Sequence, residues 1–289
     1  MNNLGNLFVV ATPIGNLNDI TLRAIETLKK VDIILCEDTR ESMKLLNNFN
    51  IKKKLMSYHK FNEESKKDEI IKLLKFGSDI ALISDAGTPC ISDPGYILVK
   101  KAREEGIKVV PVGGISACIT ALSASGLETE KFTFYGFFPR DNKDKNKLIE
   151  DIKTSNINTY IFYESPKRII KTLNYLKDNI DNITISVSKE LTKIHEKNYF
   201  GALENVIKEI TLDEKSSLGE YTFIIEKKEL NKESNDKEIL SNEALLIDKM
   251  VKNNVSLKEA INILKTENKE LNKNEIYRAS LNLKELFKS

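Results

Sequence analysis

Six short segments concentrate the residues able to do chemistry: TPIGN (12–16), CEDTR (36–40), SDAGTP (84–89), PVGGISA (111–117), YESPKR (163–168) and KELTK (189–193). Most set small or turn-forming residues, which let a ligand approach the backbone, beside charged side chains. The sharpest is SDAGTPCISDPG (84–95). Asp85 supplies a negative charge there, although an Asp-Gly-Pro cluster also forms an ordinary turn and helix cap. Gly113–Ala117 ahead of a helix would leave N–H groups free for an anion, or make only a tight turn. CEDTR sets two acids beside an arginine, and YESPKR joins an acid, two cations and an aromatic. A self-satisfied ion cluster and a helix cap led by Pro166 are the plainer alternatives. His59 lies in the polar stretch MSYHKFNEE and His195 follows KELTK; a lone histidine in such a place is more often incidental than catalytic. Neither GxGxxG nor GxxxxGK[ST] occurs, so a dinucleotide site of the Rossmann kind and a Walker loop have no support.

The elements that must position these segments alternate. LFVVA (7–11), VDIILC (31–36), DIALIS (79–84) and IKVVPV (107–112) are short apolar runs, each ending in one of the loops above. Between them lie helical patterns: Ile20, Ala24, Ile25 and Leu28 on one face, then 42–49, 63–76 stopped by Gly77, and 96–105 closed by Gly106. Strands spaced by helices predict a mostly parallel sheet covered on both faces, with ligands at the carboxyl ends of the strands. A second α/β set follows in 132–138, 159–168, 182–193 and 219–226. The fold class expected is α/β, with domains at 1–126 and 127–228. A charge-rich linker and a small helical extension occupy 229–289. Ser256 with Glu259 and Asn272 with Glu275 are capping-box patterns in that extension.

Composition narrows the function classes. The chain has 289 residues, 40% hydrophobic and 30% charged, which excludes a disordered protein. Three cysteines (Cys36, Cys90, Cys118) without CxxC spacing, and two histidines, argue against a disulfide framework and a metal site. No apolar run reaches the ~18 residues of a membrane span, and the N-terminus lacks the basic start of a signal peptide; the cytoplasm is the default expectation. The net charge is only +2. Residues 52–75, however, hold eight lysines against four acids, together with Tyr58, His59 and Phe61. That mixture suits RNA phosphates and stacked bases, although a solvated helix face is the commoner cause.

In order along the chain, ATPIGNLNDITLRAIETL (11–28), CEDTR, SDAGTPCISDPGY (84–96), ALSASGL (121–127), FYESPKR (162–168), KELTK and GEYTFIIE (219–226) resemble the ribosomal RNA small subunit methyltransferase I family of the tetrapyrrole methylase superfamily. The resemblance spans about residues 5–228, and KNEIYRASL (273–281) is similar to that family's helical extension. It implies two α/β domains with S-adenosylmethionine in the cleft between them, and 2′-O-methylation of a cytidine ribose in the decoding centre of 16S rRNA. It also implies a cytoplasmic homodimer acting on the small ribosomal subunit, with no membrane and no metal. Carried over by residue, it puts cofactor contacts on Pro13, Asp85, Gly87, Thr88, Ser116, Ala117, Tyr163 and Leu191. The catalytic base would come from His59, Asp38, Glu164 or Glu190. RNA contacts would come from Arg40, Arg140, Lys167, Arg168 and Lys189. The chain departs from the family pattern where Gly113-Gly114-Ile115 replaces a proline-rich loop and where Lys167 replaces a frequent histidine. Two other readings compete: a tetrapyrrole methylase acting on a small molecule, and a non-catalytic RNA-binding factor in ribosome assembly.

Overall fold

A computed structural model describes residues 4–228, 241–267 and 273–286. The chain divides into two compact units, Met1–Glu229 and Leu230–Ser289. The first unit opens with β1 (Leu7–Val10), α1 (Leu22–Lys30), β2 (Ile33–Cys36), α2 (Thr39–Asn48), β3 (Lys54–Ser57), α3 (Glu63–Lys75), β4 (Ile80–Leu82), α4 (Tyr96–Glu104), β5 (Val109–Val112) and α5 (Ala117–Ser123). The five strands form one sheet in the order β3-β2-β4-β1-β5, every pair parallel. Parallel strands covered on both faces must be apolar throughout, and Ile33–Cys36 and Ile80–Leu82 are wholly buried. Ala24 and Leu28 of α1 and Leu46 of α2 cover one face over Val10, Ile34 and Cys36. Ile70, Ile71 and Leu74 of α3 and Leu98 and Ala102 of α4 cover the other over Leu7, Leu35 and Leu82. Because the strands run the same way, the loops after β1, β2, β4 and β5 share one end of the sheet.

The unit continues with β6 (Phe132–Phe137), α6 (Asn142–Thr154), β7 (Thr159–Glu164), α7 (Ile169–Asn179), β8 (Ile183–Lys189), β9 (Lys197–Ala202), α8 (Leu203–Leu212) and β10 (Tyr221–Lys227). The second sheet, β6-β7-β10-β8-β9, is mixed: only β6 and β7 are parallel. One face carries α6, α7 and α8 over an aromatic core, with Phe162 and Phe223 stacked at 5.0 Å between ring centres. The opposite face receives α5, whose Cys118, Ala121 and Leu122 pack on Ile161 of β7 and Ile224 of β10. A helix encoded with the first sheet therefore closes the second. Pro166 sits in the turn ahead of α7, which starts at Ile169.

The second unit holds α9 (Asn242–Asn253), α10 (Leu257–Glu267) and α11 (Lys273–Leu286) around Leu246, Ala260, Leu264, Ile276 and Leu283. The capping box before α10 forms as the sequence predicts. The Ser256 N–H donates to Glu259 Oε2 at 2.9 Å, and the Glu259 N–H donates to Ser256 Oγ at 3.4 Å. Asn272 and residues 229–240 of the linker lie outside the described residues. Among the described residues no helix is long and apolar enough to cross a membrane, and no cluster of three or more metal-binding side chains occurs.

Candidate active site

The loops at the carboxyl end of the first sheet are stitched to each other by hydrogen bonds. Thr12 and Gly87 exchange backbone bonds of 2.8 and 3.0 Å, and Thr12 Oγ1 donates to the Ser84 carbonyl at 3.1 Å. The Asp38 N–H donates to Asp85 Oδ1 at 3.2 Å, and Thr88 Oγ1 donates to the Ile115 carbonyl at 3.3 Å. Across to the second sheet, the N–H of Cys118 on α5 donates to the Tyr163 hydroxyl at 3.2 Å. TPIGN, CEDTR, SDAGTP, GGISA and YESPKR thus meet in space, from two sheets.

They enclose a cavity of about 350 Å³, within the roughly 300–1,000 Å³ of small-molecule sites. The first sheet supplies Ile14, Asp85, Ala86, Gly87, Thr88, Ile91, Ser92, Asp93, Ser116 and Ala117. The second supplies Phe137, Tyr163, Glu164, Ser165, Pro166, Glu220, Tyr221 and Thr222. Space beside the backbone is kept by Gly87, which has φ +78° and whose missing Cβ would lie 3.3 Å from Ile14 Cγ2. A side chain there costs about 1–2 kcal/mol in left-handed backbone alone. Gly87→Ala is expected to lower the thermal midpoint by a few degrees, read by calorimetric melting of purified protein. An unchanged midpoint would mean the loop tolerates a Cβ.

Acidity sets the character of the cavity. Asp85, Asp93, Glu164 and Glu220 all line it. Burial, then the Asp38 and Glu41 carboxylates, raise the Asp85 carboxyl above its ordinary value. Burial pushes Asp93 further, to about 7, with Glu37 and Asp85 adding to the rise. The Tyr163 hydroxyl is raised to about 12, chiefly by burial. A pocket of carboxyls, hydroxyls and small residues, open to backbone groups, fits a cationic organic ligand with hydroxyls to donate. Asp85, Thr88, Ser116 and Tyr163 are the groups placed to hold one.

The residues singled out from sequence fall into three groups. Asp85, Gly87, Thr88, Ser116, Ala117 and Tyr163 line the cavity. Pro13 is buried beside it, and Leu191 packs under α5 with Ile161 and Ile224; neither is among the lining residues. Of the four base candidates only Glu164 lines the cavity, and its oxygens are engaged. They accept from the Ser165 N–H at 2.7 Å and Thr172 Oγ1 at 2.6 Å, and pair with Arg168 at 3.0 Å. Asp38 caps α2 and grips Arg40, which holds its carboxyl far below the usual range. Glu190 accepts from Lys193 Nζ at 2.9 Å and from the Glu220 N–H at 3.0 Å. His59 lies near Glu37, and its Nδ1 is buried with no hydrogen-bond partner.

Two RNA-contact assignments need correction. Lys189 is 4% exposed, with Nζ bonded to Asp213 Oδ2 at 2.8 Å and to the Lys215 carbonyl at 2.6 Å. An interior ammonium spent on these partners does not meet phosphate. Arg168 Nη2 donates to the carbonyls of Phe138 and Pro139 at 2.7 and 3.1 Å as well as pairing with Glu164; it braces the wall of the cavity. Arg40, Arg140 and Lys167 are exposed. Asp93, Phe137 and Tyr221 were missed by sequence reasoning. Asp93 lies in SDAGTPCISDPG behind the more conspicuous Asp85, whereas Phe137 and Tyr221 read as ordinary strand aromatics.

Comparison with known proteins agrees with this geometry. The family model for tetrapyrrole (corrin/porphyrin) methylases matches residues 6–207. A protein of Halalkalibacterium halodurans named ribosomal RNA small subunit methyltransferase I is 48% identical over 225 residues, 77% of this chain and 76% of its own. A protein of the same name from Buchnera aphidicola is 41% identical over 288 residues, 99% of both chains. Among solved structures, a diphthine synthase matches the fold with a TM-score of 0.60 at 14% identity, covering 78% of this chain and 92% of its own. The chain is accordingly a methyltransferase whose methyl donor is S-adenosylmethionine. With its two sheets, its stitched loops and end-to-end relatives, the chain belongs to the tetrapyrrole methylases and, within them, to the ribosomal RNA small subunit methyltransferase I family.

Proposed function

We propose that this protein methylates the 2′-oxygen of one cytidine ribose in the decoding centre of 16S rRNA, acting in the cytoplasm on the small ribosomal subunit as a homodimer. The observation that carries the proposal is the alignment, over nearly the whole chain, with relatives named for methylation of small-subunit ribosomal RNA. The molecule adds support. Phe137 lines the cavity, is 60% exposed and meets Tyr163 edge to face, so a flat aromatic surface stands at the mouth for an unstacked base. Phe61 is 96% exposed beside Lys60, and Arg140 and Lys167 carry no ion pair among the described residues. Those cations, with Arg40, are the groups we assign to RNA phosphate.

Bound S-adenosylmethionine supplies a methyl on a sulfonium centre. Asp85 and the backbone around Gly87 hold that donor. Thr88, Ser116 and Ala117 fix it against the first sheet, and Tyr163 closes from the second. Holding donor and hydroxyl in line removes up to ~7–11 kcal/mol of barrier. Such transfer also needs a group to take the hydroxyl proton.

The test is labelled methyl transfer to small subunits from cells lacking the enzyme, followed by mass-spectrometric mapping. Label confined to one cytidine ribose is the expected result. Label on a base, or on a porphyrin instead of RNA, overturns it, and no transfer with retained RNA binding would make the protein a binding factor.

A further inference from the structure

We propose that Asp93 is the catalytic residue that takes the proton from the acceptor hydroxyl as the methyl is transferred. This rests on the proposed function and adds to it the group that performs the proton step.

Of the four carboxyls lining the cavity, three have donors on them. Asp85 accepts from Asp38, Glu164 from Ser165 and Thr172, and Glu220 pairs with Lys193. Among the described residues, Asp93 has neither a hydrogen bond nor an ion pair on its carboxyl. A carboxylate whose lone pairs are free, in a cavity, can accept a new proton without breaking an existing contact.

The backbone around it is held in place. Cys90 and Ser92 adopt φ of +69° and +68°, a conformation side chains rarely take. Gly95 has φ +134°, and a Cβ there would meet Cys90 Sγ at 2.6 Å and Leu82 Cδ2 at 2.7 Å. The Gly95 N–H is tied to Glu63 Oε2 of α3 at 3.1 Å. On the other side Ser92 Oγ lies 2.8 Å from where a Cβ on Gly136 of β6 would stand. Asp93 is therefore set between a tie to the first sheet and a contact with the second. Backbone strain of this sort persists only where surrounding structure enforces it.

The charges facing Asp93 favour its protonated form: Glu37 comes from the loop after β2 and Asp85 from the loop after β4. Cys90 of its own loop and Tyr163 of β7 also face it, and both stay neutral near pH 7, raised to about 11 and about 12 by burial. Among the described residues no lysine or arginine is paired with it. With burial, the two carboxylates raise its carboxyl to about 7, where a base is half ionised at neutral pH and still strong enough to accept a proton. In the step, the 2′-oxygen–methyl bond forms as the carbon–sulfur bond breaks. The sulfur keeps that electron pair and leaves as neutral S-adenosylhomocysteine, and the hydroxyl proton passes to the Asp93 carboxylate.

The test is Asp93→Asn in the full-length protein. Burial penalises the ionised carboxyl, so its folded-state pKa exceeds the unfolded one. Stability is then lost as pH rises, and the uncharged amide is expected to hold or raise the melting midpoint at pH 8. S-adenosylmethionine affinity by calorimetry is expected within about twofold of wild type. Single-turnover methyl transfer to small subunits is expected to fall by about a hundredfold or more. In the wild type that rate is expected to rise with pH through about 7, and carbon-13 NMR is expected to show the Asp93 carboxyl titrating there; both features are expected to vanish in the variant. An Asp93→Asn enzyme within threefold of the wild-type rate, or one that keeps the inflection, overturns the proposal. So does a variant that loses donor affinity, which would make Asp93 a binding group. If wild-type protein transfers no methyl to RNA, the proposed function itself fails, whatever the NMR titration shows.

Discussion

Exchanging Asp85 for alanine is expected to weaken S-adenosylmethionine binding by about a hundredfold, measured by calorimetric titration at pH 8. Asp85 lines the cavity from the loop after β4, and one of its oxygens accepts only a 3.2 Å bond from Asp38. The remaining lone pairs are available to the ribose hydroxyls or the ammonium of the donor. A hydrogen bond to a charged group contributes roughly 1.5–3 kcal/mol, and each 1.4 kcal/mol is about a factor of ten in affinity. The alanine also strands the Asp38 N–H, so the CEDTR loop loses its tie to the neighbouring strand. Asp85→Asn separates the two effects: it keeps an acceptor for Asp38 but removes the charge, and its affinity is expected between wild type and alanine. Because burial and the acids Asp38 and Glu41 raise the Asp85 carboxyl, binding by the wild type is expected to fall as pH drops through that raised value. An alanine variant with unchanged affinity would move the donor elsewhere in the cavity.

The loop of Asp85 was legible because a parallel sheet leaves little choice. Buried strands read as short apolar runs, and each run here ends in a polar loop, glycine-containing in every case but CEDTR. What the sequence hid were two of the four sheet edges. Lys54–Ser57 and Lys197–Ala202 were not recognised as strands, and both lie at an edge, as β3 and β9. Edge strands carry lysines and exposed residues that discourage further pairing, so the apolar signal that marks a central strand is absent. Missing β3 left His59 in an apparently irregular stretch, when it sits just past a strand that ends beside the site. Missing β9 hid Tyr199, and with it the environment of Lys189. The α5 helix shows a different limit. Its small residues suggested close packing, but nothing local says that Cys118 and Leu122 pack on Ile161 and Ile224, more than thirty residues ahead. Asp93 is the same case: its composition is that of any Asp-Pro-Gly turn, and only the fold brings Glu37 and Tyr163 near it.

Lys189→Met is expected to be the most destabilising single change in the second sheet, by about 3–5 kcal/mol. That corresponds to a melting midpoint lower by on the order of 10 °C for a unit of this size. Lys189 ends β8 with its side chain 5% exposed, and its partner Asp213 is 8% exposed. Lys189 is the leading reason that the Asp213 carboxyl is held well below the usual carboxylate range. Methionine matches the stem of lysine but leaves that carboxylate with the Tyr199 hydroxyl at 2.9 Å, the Lys215 N–H at 3.1 Å and the half-exposed Lys197 at 3.1 Å. It also leaves the Lys215 carbonyl without its donor. The cost lies in the stranded charge, so the double change Lys189→Met with Asp213→Leu is expected to recover most of the loss. The pH dependence follows from the depressed carboxyl. Its stabilisation is complete above the ordinary carboxylate range and is lost as pH falls through and below it, so wild type and Lys189→Met converge in acid. A phosphate-contacting lysine would behave in the opposite way, with RNA affinity reduced, its salt dependence weakened and the midpoint unmoved. Urea unfolding at pH 7 and at successively lower pH, beside RNA binding by the folded variant, decides between a lysine that holds the second sheet together and one that holds the substrate.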